Sequence, residues 1–287
     1  MRFAFIKEHQ GRWPVALQCR VLDVSRGGFY AWLSRPDSVR VVARRELTEA
    51  IRQAHAECRQ VYGSPRLTVE LEARGVKACE NTVAKAMREA GIAAQRRRRF
   101  VPRTTDSRHA NPIAPNLLDR QFAAELPDRK WVCDITYVRT RDDGWLYLAA
   151  VMDLCSRRIV GWSMAGHMKV ELVNEALDMA LAGRRPPPGL VHHSDRGVQY
   201  TCGDYRAKLE EHGIACSMSR TGNCYDNAAM ESFWSTLKRE LVNEQNYATL
   251  DEARRSIFEY IEVFYNRTRR HSSLGYVSPE QFEASLN

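Results

Sequence analysis

The chain has 287 residues, 44% of them hydrophobic, and its 43 Lys and Arg against 35 Asp and Glu give a net charge of +8. This length exceeds one small domain, so we expect two or three folded units. No apolar run approaches the roughly 18 residues of a membrane span, which argues against a membrane protein. The eight cysteines form no Cys-x-x-Cys pair or zinc-spaced set, so we expect no structural zinc and a reduced, cytoplasmic protein.

The positive charge is concentrated in the first part of the chain. Residues 1–110 carry 22 Lys and Arg against 11 acidic residues, whereas residues 111–287 carry 21 against 24. The front is therefore expected to bind phosphate and to supply most of the affinity for DNA, and the rear to bind cations. A solvated basic surface is the alternative.

We expect residues 1–36 to form a helix-turn-helix unit. Pro14 suits the first position of a helix, and Ser25 can cap a second helix that runs through Phe29 and Leu33. Both helices have the length and pattern of a DNA-binding helix-turn-helix. A plain helical hairpin would give the same pattern.

Residues 37–95 predict a second helical, helix-turn-helix-like DNA-binding domain. A long amphipathic helix over 38–58 is followed by two shorter ones, for which Ser64 and Asn81 are the candidate N-caps. Gly75 and Gly91 are expected to end them.

Residues 96–124 predict a basic linker that contains three prolines and little periodicity. It opens with Arg96, Arg97, Arg98 and Arg99, whose charges repel each other unless an anion is present. A DNA backbone is the natural partner for such an arm. A solvated tether is the alternative.

Residues 125–248 predict an α/β catalytic core. Three strands between 128 and 164 form hairpins, with a turn at Asp142-Asp143-Gly144. A helix over 169–182, a short strand that ends near Asp195, a helix over 205–211 and a strand over 214–218 follow. Because the hairpin strands come first and helices alternate with strands afterwards, the pattern favours a mixed sheet over a doubly wound parallel sheet.

Three carboxylates are placed where such a core would bring them together. Asp134 lies within the alternating apolar run Trp131–Val138, Asp195 at a strand end, and Glu231 near the start of a helix that Asp226 can cap. A carboxylate in mid-strand is costly to bury unless a cation pairs with it. One carboxylate in the middle of a strand, one at a strand end and one at a helix start form the arrangement of a ribonuclease-H-like core that holds two Mg²⁺ ions.

Three longer motifs carry a family resemblance. They are His193-Ser-Asp-Arg-Gly-Val-Gln-Tyr200, Gly222-Asn-Cys-Tyr-Asp-Asn-Ala-Ala-Met-Glu-Ser-Phe-Trp234 and Tyr265-Asn-Arg-Thr-Arg-Arg-His-Ser-Ser-Leu-Gly-Tyr-Val-Ser-Pro279. In this order they resemble the catalytic, second-reading-frame transposases of the third bacterial insertion-sequence family, which are relatives of retroviral integrases. The segment Tyr62-Gly63-x-x-Arg66 also resembles that family, and we expect Arg66 to contact DNA.

The resemblance implies a metal-dependent DNA transposase. It would bind the inverted repeats of an insertion sequence, cleave the DNA and join the 3′-hydroxyl to target DNA, with Asp134, Asp195 and Glu231 as catalytic residues and as ligands of two Mg²⁺ ions. Mn²⁺ is expected to substitute. It further implies a circular intermediate, a homo-oligomer on DNA near the nucleoid, and fusion to or action with a small upstream DNA-binding protein.

Lys238 lies two helical turns after Glu231 and therefore on nearly the same face, about 10 Å along the axis. The resemblance implies a contact with DNA, and a solvated lysine is the alternative. His192 and His193 are expected to be structural, because softer zinc ligands are absent nearby.

Two segments and two other functions remain open. The loop 221–225 reads as a lid or as a connector, and residues 249–287 predict a helix and a basic tail of unassigned role. A nuclease of the ribonuclease-H type that only hydrolyses DNA, and a non-catalytic DNA-binding regulator, are the alternatives to the transposase. The intact set of carboxylates argues against the regulator, and the basic front with Lys238 argues against a plain nuclease.

Overall fold

A computed structural model describes residues 1–95, 111–220 and 224–286. The first unit is helical, with a small core of Ile6, Cys19 and Phe29. Ser25 caps the third helix by accepting a hydrogen bond from the amide of Gly28, as predicted. Leu17 and Val21 of the second helix are exposed. The helices are α1 (Arg2–His9), α2 (Val15–Val21) and α3 (Arg26–Ser34).

The second unit has three helices that pack around Ile51, Leu67 and Val83. The capping predictions at Ser64 and Asn81 were wrong, because both residues lie inside their helices and neither helix has a side-chain cap. Gly75 and Gly91 do follow the helix ends, with φ of +80° and +69°. The helices are α4 (Val39–Glu57), α5 (Ser64–Ala73) and α6 (Glu80–Glu89).

The remaining chain is built on a mixed sheet of five strands, in the order β3-β2-β1-β4-β5 among the described residues. The first three strands are antiparallel, and β4 and β5 are parallel to β1. This is the predicted ribonuclease-H-like fold. The strands are β1 (Lys130–Arg139), β2 (Trp145–Asp153), β3 (Ile159–Ala165), β4 (Val191–Ser194) and β5 (Ala215–Met218).

Helices cover both faces of the sheet. A Cβ added at Gly161 of β3 would lie 2.1 Å from the carbonyl oxygen of Ala176, so only glycine permits this approach of strand and helix. The helices are α7 (Val170–Arg184), α8 (Val198–Thr201), α9 (Gly203–Glu211), α10 (Ala228–Glu240), α11 (Leu250–Phe258), which continues as a π-helix (Glu259–Tyr265), and α12 (Pro279–Ala284).

The predicted basic tail is a folded part of the molecule. Asn266 exchanges two hydrogen bonds of 3.0 Å with the backbone of Ile159 in β3. Ser278 begins α12 with a capping box, and the Arg269 side chain is buried. We call residues 265–279 the C-terminal segment. No helix in the described ranges is both long and apolar enough to cross a membrane.

Candidate active site

Asp134 lies in the middle of β1, half-buried and opposite Ala150 of β2. One carboxylate oxygen accepts a hydrogen bond of 2.8 Å from the amide of Ile135. The other accepts one of 3.0 Å from the indole N–H of Trp234 in α10. Burial and the nearby charge of Asp195 raise the pKa of Asp134 to about 8, and these two hydrogen bonds lower it only partly.

Asp195 follows the last residue of β4. The parallel pairing of β1 with β4 sets Val132 opposite His193, so the same register continued by two residues brings Asp195 beside Asp134. Its carboxylate accepts a hydrogen bond of 2.8 Å from the amide of Gly197. A Cβ at Gly197 would meet that carboxylate at 3.0 Å, so a glycine there keeps the turn close.

Glu231 lies in the first turn of α10, and its side chain is exposed. Partial loss of hydration raises its pKa, and its charge in turn contributes to the raised pKa of Asp134. The start of α10 is fixed to the sheet because the side-chain amide of Asn227 donates a hydrogen bond of 3.1 Å to the carbonyl of Cys133. The helix is thereby held with Glu231 facing the region of Asp134.

The fold thus brings the three carboxylates into one electrostatic cluster, with Asp134 at its centre. Across the part of the chain that the structure describes, no three His, Cys, Asp or Glu side chains stand close enough to hold a metal ion. The assignment of Asp134, Asp195 and Glu231 as metal ligands therefore stays a prediction.

Lys238 lies on the Asp134 side of α10. Its ammonium nitrogen stands 5.2 Å from the centroid of the Tyr137 ring in β1. Burial lowers the pKa of Lys238, and the charge of Asp134 opposes that shift. The lysine is therefore packed against the strand of the cluster, with its ammonium near the carboxylates, rather than solvated.

Asp226 does not cap α10, contrary to the prediction. The residue before the helix is Asn227, and the buried Asp226 carboxylate instead accepts hydrogen bonds from Arg220, Arg120 and Asn116. Arg220 donates through both its amide and its guanidinium, and these bonds hold the pKa of Asp226 well below its usual range. Asp226 thus joins the chain on both sides of 221–223, a stretch of the loop predicted as a lid or a connector that lies outside the described residues.

The two adjacent histidines are structural. His193 shares hydrogen bonds with the hydroxyls of Ser217 and Ser219 at 2.8 and 3.1 Å, and His192 with that of Tyr205 at 3.1 Å. Burial lowers the pKa of His193 to about 4 and that of His192 to about 3, so both are neutral at pH 7. The His192 ring packs against the Tyr205 ring of α9, with the ring centroids 5.8 Å apart.

A second charged cluster was not predicted. Glu240, at the end of α10, is buried and accepts two hydrogen bonds of 2.7 Å from Arg269 and one of 2.8 Å from the hydroxyl of Tyr260. The neighbouring Arg270 donates to Glu70 of α5 at 2.8 Å, and its amide donates to the Tyr62 hydroxyl at 2.7 Å. The C-terminal segment therefore connects α10 to the second helical unit.

Of the arginines predicted to contact DNA, Arg66 lies within the described residues, where its ring and ion-pair contacts do not include the three carboxylates. Arg66 is half-buried beside the Tyr62 ring, 5.6 Å from its centroid, and its nearest ion-pair contact is Glu240 at 3.9 Å. The assignment of Arg96, Arg97, Arg98 and Arg99 falls outside the described residues.

Comparison with known proteins identifies the family. Protein-family models described as "Integrase core domain" match residues 124–224 and 212–279, and a family model described as "HTH-like domain" matches residues 43–100. Among solved structures, the HTLV-2 integrase catalytic core domain in complex with magnesium (trimeric form) gives a TM-score of 0.44 at 14% identity, over 56% of this chain and 99% of that one. That likeness is too low to support an argument.

Full-length relatives are much closer. An uncharacterized 31 kDa protein of insertion element IS600 from Shigella sonnei is 47% identical over 264 residues, covering 92% of this chain and 96% of that one. The transposase InsF for insertion sequence IS3A of Escherichia coli (strain K12) is 44% identical over 285 residues, covering 99% of this chain and 98% of that one. The described fold and these relatives agree, and the chain belongs to the IS3 family of transposases.

Proposed function

We propose that this transposase cleaves DNA at the ends of an insertion sequence and joins the freed 3′-hydroxyl to DNA, with Asp134, Asp195 and Glu231 as its catalytic carboxylates. The observation that carries the proposal is the placement of Asp134 in mid-β1, Asp195 just after β4 and Glu231 in the first turn of α10, in a chain 44% identical to the transposase InsF. Clustered carboxylates of this kind occur where a cation or a proton is needed. A bare structural role would not require three of them.

The residues fit a divalent metal. All three candidates offer hard carboxylate oxygens, which Mg²⁺ prefers, and a cation would relieve the repulsion that raises the pKa of Asp134. Asp134, Asp195 and Glu231 would hold two Mg²⁺ ions, for which Mn²⁺ would substitute. When bound, such ions lower the pKa of a hydroxyl or water and stabilise charge on the leaving oxygen.

The chain's own residues then position the DNA. Lys238 offers an ammonium beside the cluster, where it would bind a backbone phosphate and hold the reacting strand. The helical units 1–36 and 37–95, with Arg66 and the arginines at 96–99, would bind the inverted repeats. Synapsis of two ends would require a homo-oligomer, with or without a small upstream DNA-binding protein, acting in the cytoplasm.

The proposal is tested by incubating the full chain with duplexes that carry the flanking inverted repeats, Mg²⁺ and a target duplex. Joined strands are expected, whereas a hydrolytic nuclease would give cleaved ends alone. Asp134→Ala, Asp195→Ala and Glu231→Ala should each abolish cleavage and leave end binding largely intact. Asp178→Ala is the matched control, since Asp178 pairs with Lys208 on the surface. Cleavage by Asp134→Ala near the level of the unmodified protein would refute the assignment.

A further inference from the structure

A cavity of about 380 Å³ lies between the second helical unit, the sheet, α10 and the C-terminal segment. From α10 it is lined by Ala228, Ala229, Ser232, Phe233 and Thr236. Asp134, Asp195 and Glu231 are not among its lining residues. The cavity is therefore distinct from the carboxylate cluster, although the same helix borders both.

The charge around the cavity is unbalanced. Arg66, Arg157 and Arg269 line it, and no acidic side chain does so among the described residues. Glu240 neutralises Arg269 through two bonds of 2.7 Å, but it lies 3.9 Å from Arg66. Arg157 donates to the carbonyl of Phe122 at 3.3 Å and forms no ion pair within the described residues.

Two guanidinium groups thus face the cavity without a full counter-charge. Burial lowers the pKa of both Arg66 and Arg157, and the neighbouring Arg269 adds to the effect on Arg66. Both shifts express the cost of holding a charge in a partly dehydrated space, and for Arg66 also its repulsion by Arg269. An anion in the cavity would remove that cost.

The other polar groups also suit an anion. The hydroxyls of Ser232, Thr236 and Ser273 line the cavity and can donate hydrogen bonds. His271 is neutral at pH 7 because burial and Arg269 lower its pKa to about 2, so it adds no positive charge to the cavity. Arginine forks with nearby hydroxyls are the donor set that binds phosphate oxygens.

We propose that this cavity binds a backbone phosphate of DNA through Arg66 and Arg157, assisted by the hydroxyls of Ser232 and Thr236. The proposal deepens the proposed function and rests on it. It also explains why Arg66 of the helical domain and the C-terminal segment, two motifs that lie far apart in the sequence, border one space.

The test uses the full chain and two probes, inorganic phosphate and a mixed-sequence DNA duplex. Phosphate should raise the melting temperature of the unmodified protein and not that of Arg157→Gln. The slope of log Kobs against log salt for the duplex should fall in magnitude by about 1 in Arg157→Gln, since each phosphate contact contributes about 0.9. Arg254→Gln is the matched control, because Arg254 is an arginine paired with Asp251 on the surface of α11.

Thr236→Glu separates binding from folding. Its carboxylate would meet the unbalanced arginines, so it should raise the melting temperature without phosphate, abolish the phosphate effect and reduce the salt slope by about 1. If Thr236→Glu raises the melting temperature and also weakens DNA binding, the weaker binding cannot come from a folding defect.

Two results would overturn the proposal. Absence of protection by phosphate in the unmodified protein would exclude an anion site. Protection by phosphate with unchanged salt slopes in both variants would exclude the DNA backbone and leave a free anion as the ligand. Because both readouts measure binding alone, a chain that passes them but joins no DNA would refute the proposed reaction and not this site.

Discussion

The indole N–H of Trp234 donates a hydrogen bond of 3.0 Å to the carboxylate of Asp134. A second bond runs from the side chain of Asn227 to the carbonyl of Cys133, the residue before Asp134. Two adjacent positions of β1 are therefore tied to the first half of α10, which carries Glu231. The geometry of the cluster depends on these bonds as well as on the carboxylates.

Trp234→Phe keeps most of the packing and removes one hydrogen bond to a charged group. Such bonds contribute about 1.5–3 kcal/mol, so joining should slow by roughly tenfold to a hundredfold as Asp134 loses its fixed orientation. Strand joining at saturating DNA measures the effect. Trp162→Phe is the control, since it removes a comparable indole bond of 2.7 Å to Glu262. Equal losses in both variants would contradict a specific role for Trp234.

Asp134→Asn should stabilise the metal-free protein in a pH-dependent way. The folded-state pKa of about 8 lies above the usual value of about 3.9, so protonation favours the folded state. The unmodified protein therefore loses stability as the pH rises from about 4 through 8, and the amide does not. Urea unfolding in a chelating buffer should show an advantage of the variant that grows with pH. A constant difference, as expected for Asp178→Asn, would refute the raised pKa.

Lys238→Ala should weaken strand joining by about 1–3 kcal/mol through loss of one charge-assisted phosphate contact. Lys238→Arg should restore most of the lost joining activity. The Mg²⁺ concentration that gives half-maximal activity should be unchanged in both variants, since the lysine ammonium cannot ligate a metal. Joining rates across Mg²⁺ concentrations measure this, with Lys208→Ala as control. A shifted Mg²⁺ requirement with unchanged DNA dependence would remove the DNA-contact role.

Glu240→Gln should lower the free energy of unfolding by about 3–5 kcal/mol, because the buried Arg269 loses its counter-charge. Asp251→Asn, which breaks the exposed pair with Arg254, should cost about 0–1 kcal/mol. Denaturant titrations of both variants supply the comparison. Similar small losses would mean that the buried pair contributes little.

The catalytic core was predictable because its signals are local. Asp134 interrupts an apolar alternation, and a carboxylate in such a strand is recognisable from its neighbours alone. The mixed sheet was expected because hairpins come first and helices and strands alternate later. The confirmed cap at Ser25 likewise needs only residues three positions apart.

Some outcomes are decided by residues that the local pattern does not link. Asp226 has the chemistry of a helix cap, but its carboxylate instead accepts hydrogen bonds from Arg220 and from Arg120, which is 106 positions away in the sequence. Glu240 has the sequence context of a solvated helix end, but in the folded chain it pairs with Arg269, which lies 29 positions further on. No periodicity or spacing rule contains these pairings, which exist only once the chain is folded.

The adjacent residues Arg269 and Arg270 face different parts of the molecule. Arg269 forms an ion pair with Glu240 at the end of α10, and Arg270 forms one with Glu70 of α5. A swing of the second helical unit away from the core must therefore either break the Arg270 contacts or pull on the end of α10. Any binding event that shifts one of these two helices changes the energy of the other, and the coupling free energy is the same in both directions.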